Sequence, residues 1–402
     1  MTNPKSSKQK VVFLNSVFPC LSETFIYDQM MILQNNGYDI DIVSNNHPEE
    51  TEVHPRMRHI RDEVNYLSDT SAVSALLFAI KAFFRFPIKF IRSLFALFFA
   101  GGDLAENLRH FVGAVALIDK YAGKGRVHFH VNFTYGAAGV AMWLSRFSSH
   151  RYTISLHGSD LLFDDPPFLK EKLSCASGVV SISHYNIAYM DREMPYLSGI
   201  PKRVIPLGVQ SMDAPQRAAG PISTPIRLLN VGRLSIHKAQ HLLIEACSRL
   251  VAEGYQVDCV IVGEGPKREP LEAQISELDA SGYVTLAGPK YHHEVLDLLG
   301  EFDLFVMSSI TEGMPVAIME AMRARIPVIA PAISGIPELL DQGEAGILYE
   351  SNSVDALVEA LKKVLNGQVD YQEVSDNAFD YLAENFDFNK NSHRLMEYLS
   401  EF

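Results

Sequence analysis

The stretch IRLLNVGRL at 226–234 decides the fold. A short apolar run ends in Gly232 and Arg233, an amphipathic helix is predicted from about Gln240 to Glu253, and VDCVIVGEG (257–265) is a second apolar run. Strand, helix and strand in this order form a β-α-β unit, whose strands are apolar throughout because helices cover both faces of a parallel sheet. VTLAG (284–288), LFVMSS (304–309), the helix PVAIMEAMRA (315–324) and PVIAPA (327–332) continue the series. Upstream, DAPQRAAGPISTP (213–225) has no periodicity and is rich in Pro, Ala, Gly and Ser, as a linker is. Before it, VVFLN (11–15), a helix over 25–37, DIDIVS (39–44), RVHFHVNF (126–133), RYTISLHG (151–158), GVVSIS (178–183) and RVIPLGV (203–209) form a second alternating series. The expectation is an α/β protein of two Rossmann-like domains facing a central cleft, with ligands at the C-terminal ends of the strands.

Composition narrows the class. The 402 residues are 47% hydrophobic and 21% charged, enough for two or three domains with cores and unlike a disordered or disulfide-stapled chain. A net charge of −13 argues against nucleic acid as a partner, and any anionic ligand must be met by a local positive site. Cys20, Cys175, Cys247 and Cys259 are far apart, which fits a reduced compartment and shows neither a zinc pattern nor a disulfide framework. The opening MTNPKSSKQKVVFLNS lacks the apolar core of a signal peptide, so a cytoplasmic location is expected.

The densest chemical signal is TEGMPVAIMEAM at 311–322, with Glu312 and Glu320 eight residues apart. Pro315 stands where a helix would begin, and amides around Gly313, Met314 and Val316 together with the helix dipole suit an anion or a hydroxyl. On spacing alone, the two acids fit a solvated loop and an exposed helix face as well as a ligand. His157 ends the strand YTISL and precedes Gly158, which places it toward the cleft. His128 and His130 alternate on one strand and share a face; as a metal pair they lack a third ligand.

Glu312 and Glu320, set in SSITEGMPVAIMEAM, match the E-x7-E signature of the retaining glycosyltransferases of family 4. NVGRLSIHK (230–238), IVGEGP (261–266), EFDLFVMSS (301–309) and PVIAPAISGIPELL (327–340) follow the family's order. HFH (128–130), HGSD (157–160) and PLGV (206–209) match more loosely, and FPCLSETFI (18–26) resembles the subgroup that assembles bacterial exopolysaccharides such as colanic acid.

The resemblance implies a GT-B fold: an acceptor-side domain over 1–212, a linker over 213–225, a nucleotide-sugar domain over 226–380, and a last helix over 381–402 crossing back to the first domain. It implies that Arg233 and Lys238 clamp the donor diphosphate, with Gly232 allowing close approach, and that Glu320 takes the ribose hydroxyls. Glu312 would bind the donor sugar with help from Gly313, Met314, Pro315 and Val316, while Ala287, Gly288 and Lys290 would face the nucleobase. His157 would contact the sugar near the reacting carbon, and Glu338 more naturally holds its own loop. Glu23, Thr24, His130 and Asp160 are assigned to the acceptor side, Asp160 orienting His157 or capping the next segment. Where many members carry a diglycine, this chain has Pro19 to Thr24, with Ser22 as an N-cap; where many have Asn it has Leu207.

One stretch departs from the acidic average: 71–102 holds no Asp or Glu, and Lys81, Arg85, Lys89 and Arg92 punctuate a Phe/Leu/Ile-rich run. At 100° per residue these cations fall within an arc of about 80°, with Phe83, Phe86, Phe90, Leu94 and Leu97 opposite and Pro87 as a break. This is the pattern of an interfacial helix on an anionic membrane; internal packing with snorkelling cations is the alternative.

The expected reaction is transfer of a hexose from a UDP- or GDP-sugar to a lipid-linked oligosaccharide, with retention, no metal and no cofactor beyond the donor. The rivals are an epimerase or hydrolase of the same fold and a non-catalytic, membrane-docked glycan-assembly subunit.

Overall fold

A computed structural model describes residues 9–20, 23–48, 55–98, 103–163, 166–210 and 222–402. The chain divides into two compact units. The first comprises residues up to Ile182, Asn186–Ile205 and Asn389–Phe402; the second comprises Ser183–Tyr185 and Pro206–Phe388.

The first unit is built on strands β1 (Lys10–Val17), β2 (Asp39–Asn46), β3 (Asn65–Tyr66), β4 (Val127–Asn132), β5 (Arg151–Leu156), β6 (Gly178–Ser181) and β7 (Lys202–Val204). They form one parallel sheet in the order β3-β2-β1-β4-β5-β6-β7. In β1, Val11 to Leu14 are all fully buried, as a strand covered on both faces requires. One face is covered by the helices Leu104–Lys120 and Gly136–Phe147, where Phe111 meets Phe90, Trp143 and Phe147 edge-on. On the other face Leu395, Tyr398, Leu399 and Phe402 of the C-terminal segment join Val11, Phe13 and Met30 in one core. β7 stops before Pro206, which has no N–H for a ladder, so the strand expected over 203–209 is shorter.

The second unit holds β8 (Ile226–Val231), β9 (Val257–Val262), β10 (Val284–Gly288), β11 (Leu304–Val306), β12 (Val328–Pro331) and β13 (Ile347–Tyr349). This sheet is also parallel, in the order β10-β9-β8-β11-β12-β13. In both sheets the order reverses beside the first strand, between β1 and β4 and between β8 and β11. Chain crossovers leave opposite faces there, so the loops at the strand C-termini part and leave room for a ligand.

The unit boundaries fall at 205/206 and 388/389 rather than at 212 and 381. The helix Tyr371–Asn385 stays with the second unit, and Phe388–Ser400 carries the chain into the first. Most of the expected linker, residues 213–221, lies outside the described residues, as does Ser22. The helix after β1 begins at Thr24, with Glu23 at its N-cap and no side chain bonded to the cap amides.

Candidate functional site: charged loops on one sheet, a neutral histidine on the other

In the second unit, the loop after β8 and the loop after β11 are joined across the switch point. Ile310 donates its amide to His237 O at 2.8 Å, and Ser308 Oγ donates to Lys238 O at 3.0 Å. Lys238 Nζ lies 2.5 Å from Glu312 Oε1, an oxygen that also accepts from Ser309 Oγ at 2.6 Å. Glu312 is only 9% exposed, so this is a charge-assisted contact shielded from water on the carboxylate side. Arg233 points into solvent while its carbonyl accepts from Gln240 Nε2 at 3.1 Å, which holds the loop and leaves the guanidinium outside.

Two glycines that the sequence reading passed over shape this loop. A Cβ on Gly263 would sit 2.0 Å from Gly232 O, and one on Gly265 would sit 2.4 Å from Leu234 O. Only glycine permits the β9 loop to pack so closely on the β8 loop. A Cβ at Gly232 itself would meet nothing nearer than Lys238 Cδ at 3.5 Å, so its space faces the lysine rather than backbone.

Pro315 is the N-cap of the helix Val316–Arg323, one position earlier than first-turn placement. Met314 is buried, and Val316 is exposed. Glu320 lies inside this helix and is engaged by His292 Nε2 at 2.7 Å. His292 opens the helix His292–Leu299, just after Ala287 and Gly288 at the end of β10 and Lys290 beyond it. Sequence reading missed His292 and Ser309: one histidine and one serine, each of an adjacent pair, carry no signal until the fold sets them beside carboxylates. Glu338 accepts the amides of His184 and Tyr185 at 2.8 and 3.4 Å, a loop-holding role, and burial raises its pKa.

The first unit places different chemistry at its switch point. His157, just past β5, has its ring against Phe133 and Phe25, with centroids 4.3 and 5.0 Å away. Its Nε2 is 3.2 Å from Asn132 Oδ1, and its buried Nδ1 has no hydrogen-bond partner among the described residues. Burial pushes its pKa down to about 3, so the ring is neutral. With Nε2–H directed at Asn132, Nδ1 carries a lone pair.

The backbone beneath this ring is held by ionisable groups. Phe133 adopts a left-handed φ of 65°, costly for an aromatic residue. Asp160 Oδ2 accepts the amide of Thr134 at 3.0 Å, while its Oδ1 accepts those of His157 and Gly158 at 3.0 and 3.1 Å. Lys172 Nζ donates to Thr134 O at 2.7 Å. Burial raises Asp160 to about 6, opposed by the amide bonds, and lowers Lys172 to about 8. Asp160 is fully buried and spent on backbone, so its assignment to an acceptor is corrected: it positions the His157 turn.

His130 is corrected likewise. It is completely buried, with Nδ1 2.9 Å from Thr153 Oγ1 and Nε2 3.2 Å from Ser155 Oγ, and burial lowers its pKa to about 3. Both ring nitrogens are used inside the sheet, which leaves none for an acceptor. His128 shares the Thr153 hydroxyl from the same face, at 2.9 Å. Glu23 and Thr24 begin their helix half-buried, and burial raises Glu23 to about 7.

The apolar basic segment forms two helices, Ala72–Arg85 and Pro87–Phe98, broken at Phe86 as the proline requires. The inward and outward sides differ from expectation. Phe86, Phe90 and Leu97, the face opposite the cations, pack on the core of the first unit. Val73, Leu76, Leu77, Ile80 and Phe84 face outward from the first helix, and Ile88, Ile91 and Phe95 from the second. Phe83 and Leu94 are 37% and 38% exposed. Lys81 pairs with Asp119 at 2.9 Å. Among the described residues no helix is long and apolar enough to cross a membrane.

Residues 213–381 match the family model described as glycosyl transferases group 1. This stretch, about two fifths of the chain, matches as a group 1 glycosyltransferase domain. The putative colanic acid biosynthesis glycosyltransferase WcaL of Salmonella typhimurium is 33% identical over 189 residues, 45% of this chain and 46% of the relative. The chain thus aligns with about half the length of that relative. The amylovoran biosynthesis glycosyltransferase AmsK of Erwinia amylovora is 25% identical over 90% of this chain and 92% of its own. Among solved structures, HepE of Anabaena in complex with UDP-glucose superposes with a TM-score of 0.72 at 17% identity, covering 98% of this chain and 100% of that one. Sucrose-phosphate synthase from Thermosynechococcus elongatus gives 0.70 at 16% identity, covering 98% and 99%. These likenesses identify the fold as GT-B, and the group 1 domain spans the Lys238–Glu312 pair, Arg233 and Glu320.

Proposed function

We propose that this protein transfers a hexose from a UDP- or GDP-sugar to a hydroxyl of a lipid-linked oligosaccharide in bacterial polysaccharide synthesis, with retention of configuration and without a metal. The observation that carries the proposal is the Lys238–Glu312 pair with Ser309, at the switch point of the group 1 domain. A departing nucleoside diphosphate accumulates negative charge, and cations brought to that point lower the barrier by stabilising it. Arg233, exposed beside Lys238, is the second cation; donor binding would draw Lys238 Nζ partly from Glu312 to the phosphates and free the carboxylate for sugar hydroxyls. Glu320 would take the ribose hydroxyls in place of its contact with His292. Ala287, Gly288 and Lys290 would meet the base.

His157 is assigned to the sugar through its unengaged Nδ1, as a hydrogen-bond acceptor and not as an acid. The acceptor keeps Glu23 and Thr24 as its assigned contacts. Its lipid portion is matched to the outward apolar faces of the 72–98 helices, with Lys81, Arg85, Lys89 and Arg92 toward anionic headgroups, and the enzyme working at the cytoplasmic side of the membrane.

The test is thermal shift against UDP, GDP and their sugars, followed by transfer assays with the stabilising donor. Glu312→Ala, Arg233→Ala and Lys238→Ala should each reduce transfer about 10²-fold or more while the fold persists. Transfer left intact in all three would sink the reading. Donor turnover that is independent of acceptor would favour a hydrolase or epimerase.

A further inference from the structure

The helix Pro87–Phe98 carries a second face, which shares Lys89 and Arg92 with the membrane reading and adds neighbours to them. Lys89, Arg92, Ser93 and Ala96 recur at helical spacing and, with Arg146 from the helix Gly136–Phe147, line a pocket of about 350 Å³. Three of the five lining residues are cations, and none is acidic. Arg146 is fixed rather than waving: its guanidinium lies over the buried Trp143 ring, 5.1 Å from the centroid. Ser93, at 6% exposure, forms the floor. Around the helix axis this face is turned by about 130° from Ile88, Ile91 and Phe95, with Arg92 between the two. Those three side chains are 71%, 53% and 64% exposed.

We propose that this pocket is a binding site for the phosphate of an anionic phospholipid headgroup, seated beside the apolar face that enters the bilayer. The inference rests on the membrane contact proposed above and adds to it a discrete site and a residue, Arg146, outside the 71–102 segment. Charge complementarity commits the occupant to an anionic lipid surface. The protein as a whole carries −13, so an anionic membrane repels most of its surface and attracts this face. A fork-shaped guanidinium held in place on an aromatic ring is suited to two phosphate oxygens at once.

Full-length protein is tested by co-flotation with phosphatidylcholine vesicles and with vesicles of phosphatidylcholine and phosphatidylglycerol at 3:1. Wild type should bind the mixed vesicles far better than the neutral ones. Arg146→Gln should weaken that binding by more than the roughly fivefold expected for loss of any one cation near the surface, and by more than Arg85→Gln does. Lys89→Gln with Arg92→Gln, both on exposed positions, should weaken binding more than Lys81→Gln with Arg85→Gln does, and this comparison decides the matter if Arg146→Gln does not fold. Equal losses for Arg85→Gln and Arg146→Gln, or none for Arg146→Gln, overturn the pocket and leave the membrane contact standing. Absence of wild-type binding to either vesicle overturns both, and a concentration-dependent dimer by sedimentation would then place a second copy on the apolar face.

Discussion

The two sheets share a strand order and differ in what they place at the reversal. Beyond β8 and β11 stand charges that face each other, Lys238 against Glu312, with Arg233 in solvent. At the C-terminal parts of β1, β4 and β5 and just past them stand a neutral imidazole, the carboxamides of Asn132 and Asn15, and buried ions consumed by backbone. The same topology therefore gathers charged side chains in one unit and a desolvated, hydrogen-bonding cluster in the other. A parallel sheet opens its loops at the switch point, and burial of the local side chains then decides whether a titratable group keeps its charge.

This comparison can be broken in three places. The largest effect is expected from Asp160→Ala, which strands three amides, those of Thr134, His157 and Gly158, around a strained Phe133. Calorimetry should find about 3 kcal/mol or more lost from the first unit. A loss below about 1 kcal/mol would mean that the turn does not depend on the carboxylate.

The next concerns His157. Because its pKa is about 3, ionisation of this ring should leave no step in the pH–rate profile between pH 5 and 8. His157→Gln should lower kcat/KM about 10-fold to 10²-fold without changing the profile's shape, as removal of a sugar hydrogen bond would. A wild-type inflection near pH 6.5 that vanishes in the variant would make the ring an acid–base catalyst and erase the contrast between the sheets.

The smallest is a stability effect at Glu23. Its pKa in the folded state, about 7, exceeds the ordinary 4.5, so the folded protein binds the extra proton between these values and its stability falls as pH rises through them. Glu23→Gln should leave Tm unchanged at pH 4.5 and raise it by about 2 °C or more at pH 7.5. A lower Tm at pH 7.5 would show that the carboxylate is paired and stabilising there.

Much of the second unit was legible in sequence, since short apolar runs between helices permit little besides a parallel sheet, and Arg233, Lys238, Glu312 and Glu320 stand in an ordered series of motifs. His292 and Ser309 were not, because their partners are 28 and 3 residues away and only the loop geometry brings the side chains within 2.7 Å. Gly263 and Gly265 were visible as glycines, but the need for them is a contact with the β8 loop.

The first unit was less legible at its site. Alternation placed His128 and His130 on one face and His157 at a strand end, and could not say which environment each meets. His130 lies inside the sheet because Thr153 and Ser155 on β5 satisfy it there, and Asp160 belongs to backbone because three amides converge on it. In the 72–98 helices, composition and charge spacing indicated an amphipathic pair, while packing on the core of the first unit decided that Phe90 and Leu97 turn inward and Ile91 and Phe95 outward. Periodicity reports which residues share a face; it carries no information about what covers that face. Fold class and the order of charged motifs were thus determined by local pattern, and the neutral state of His157, the service of Asp160 and the direction of the apolar helices by desolvation and packing that exist only in the folded chain.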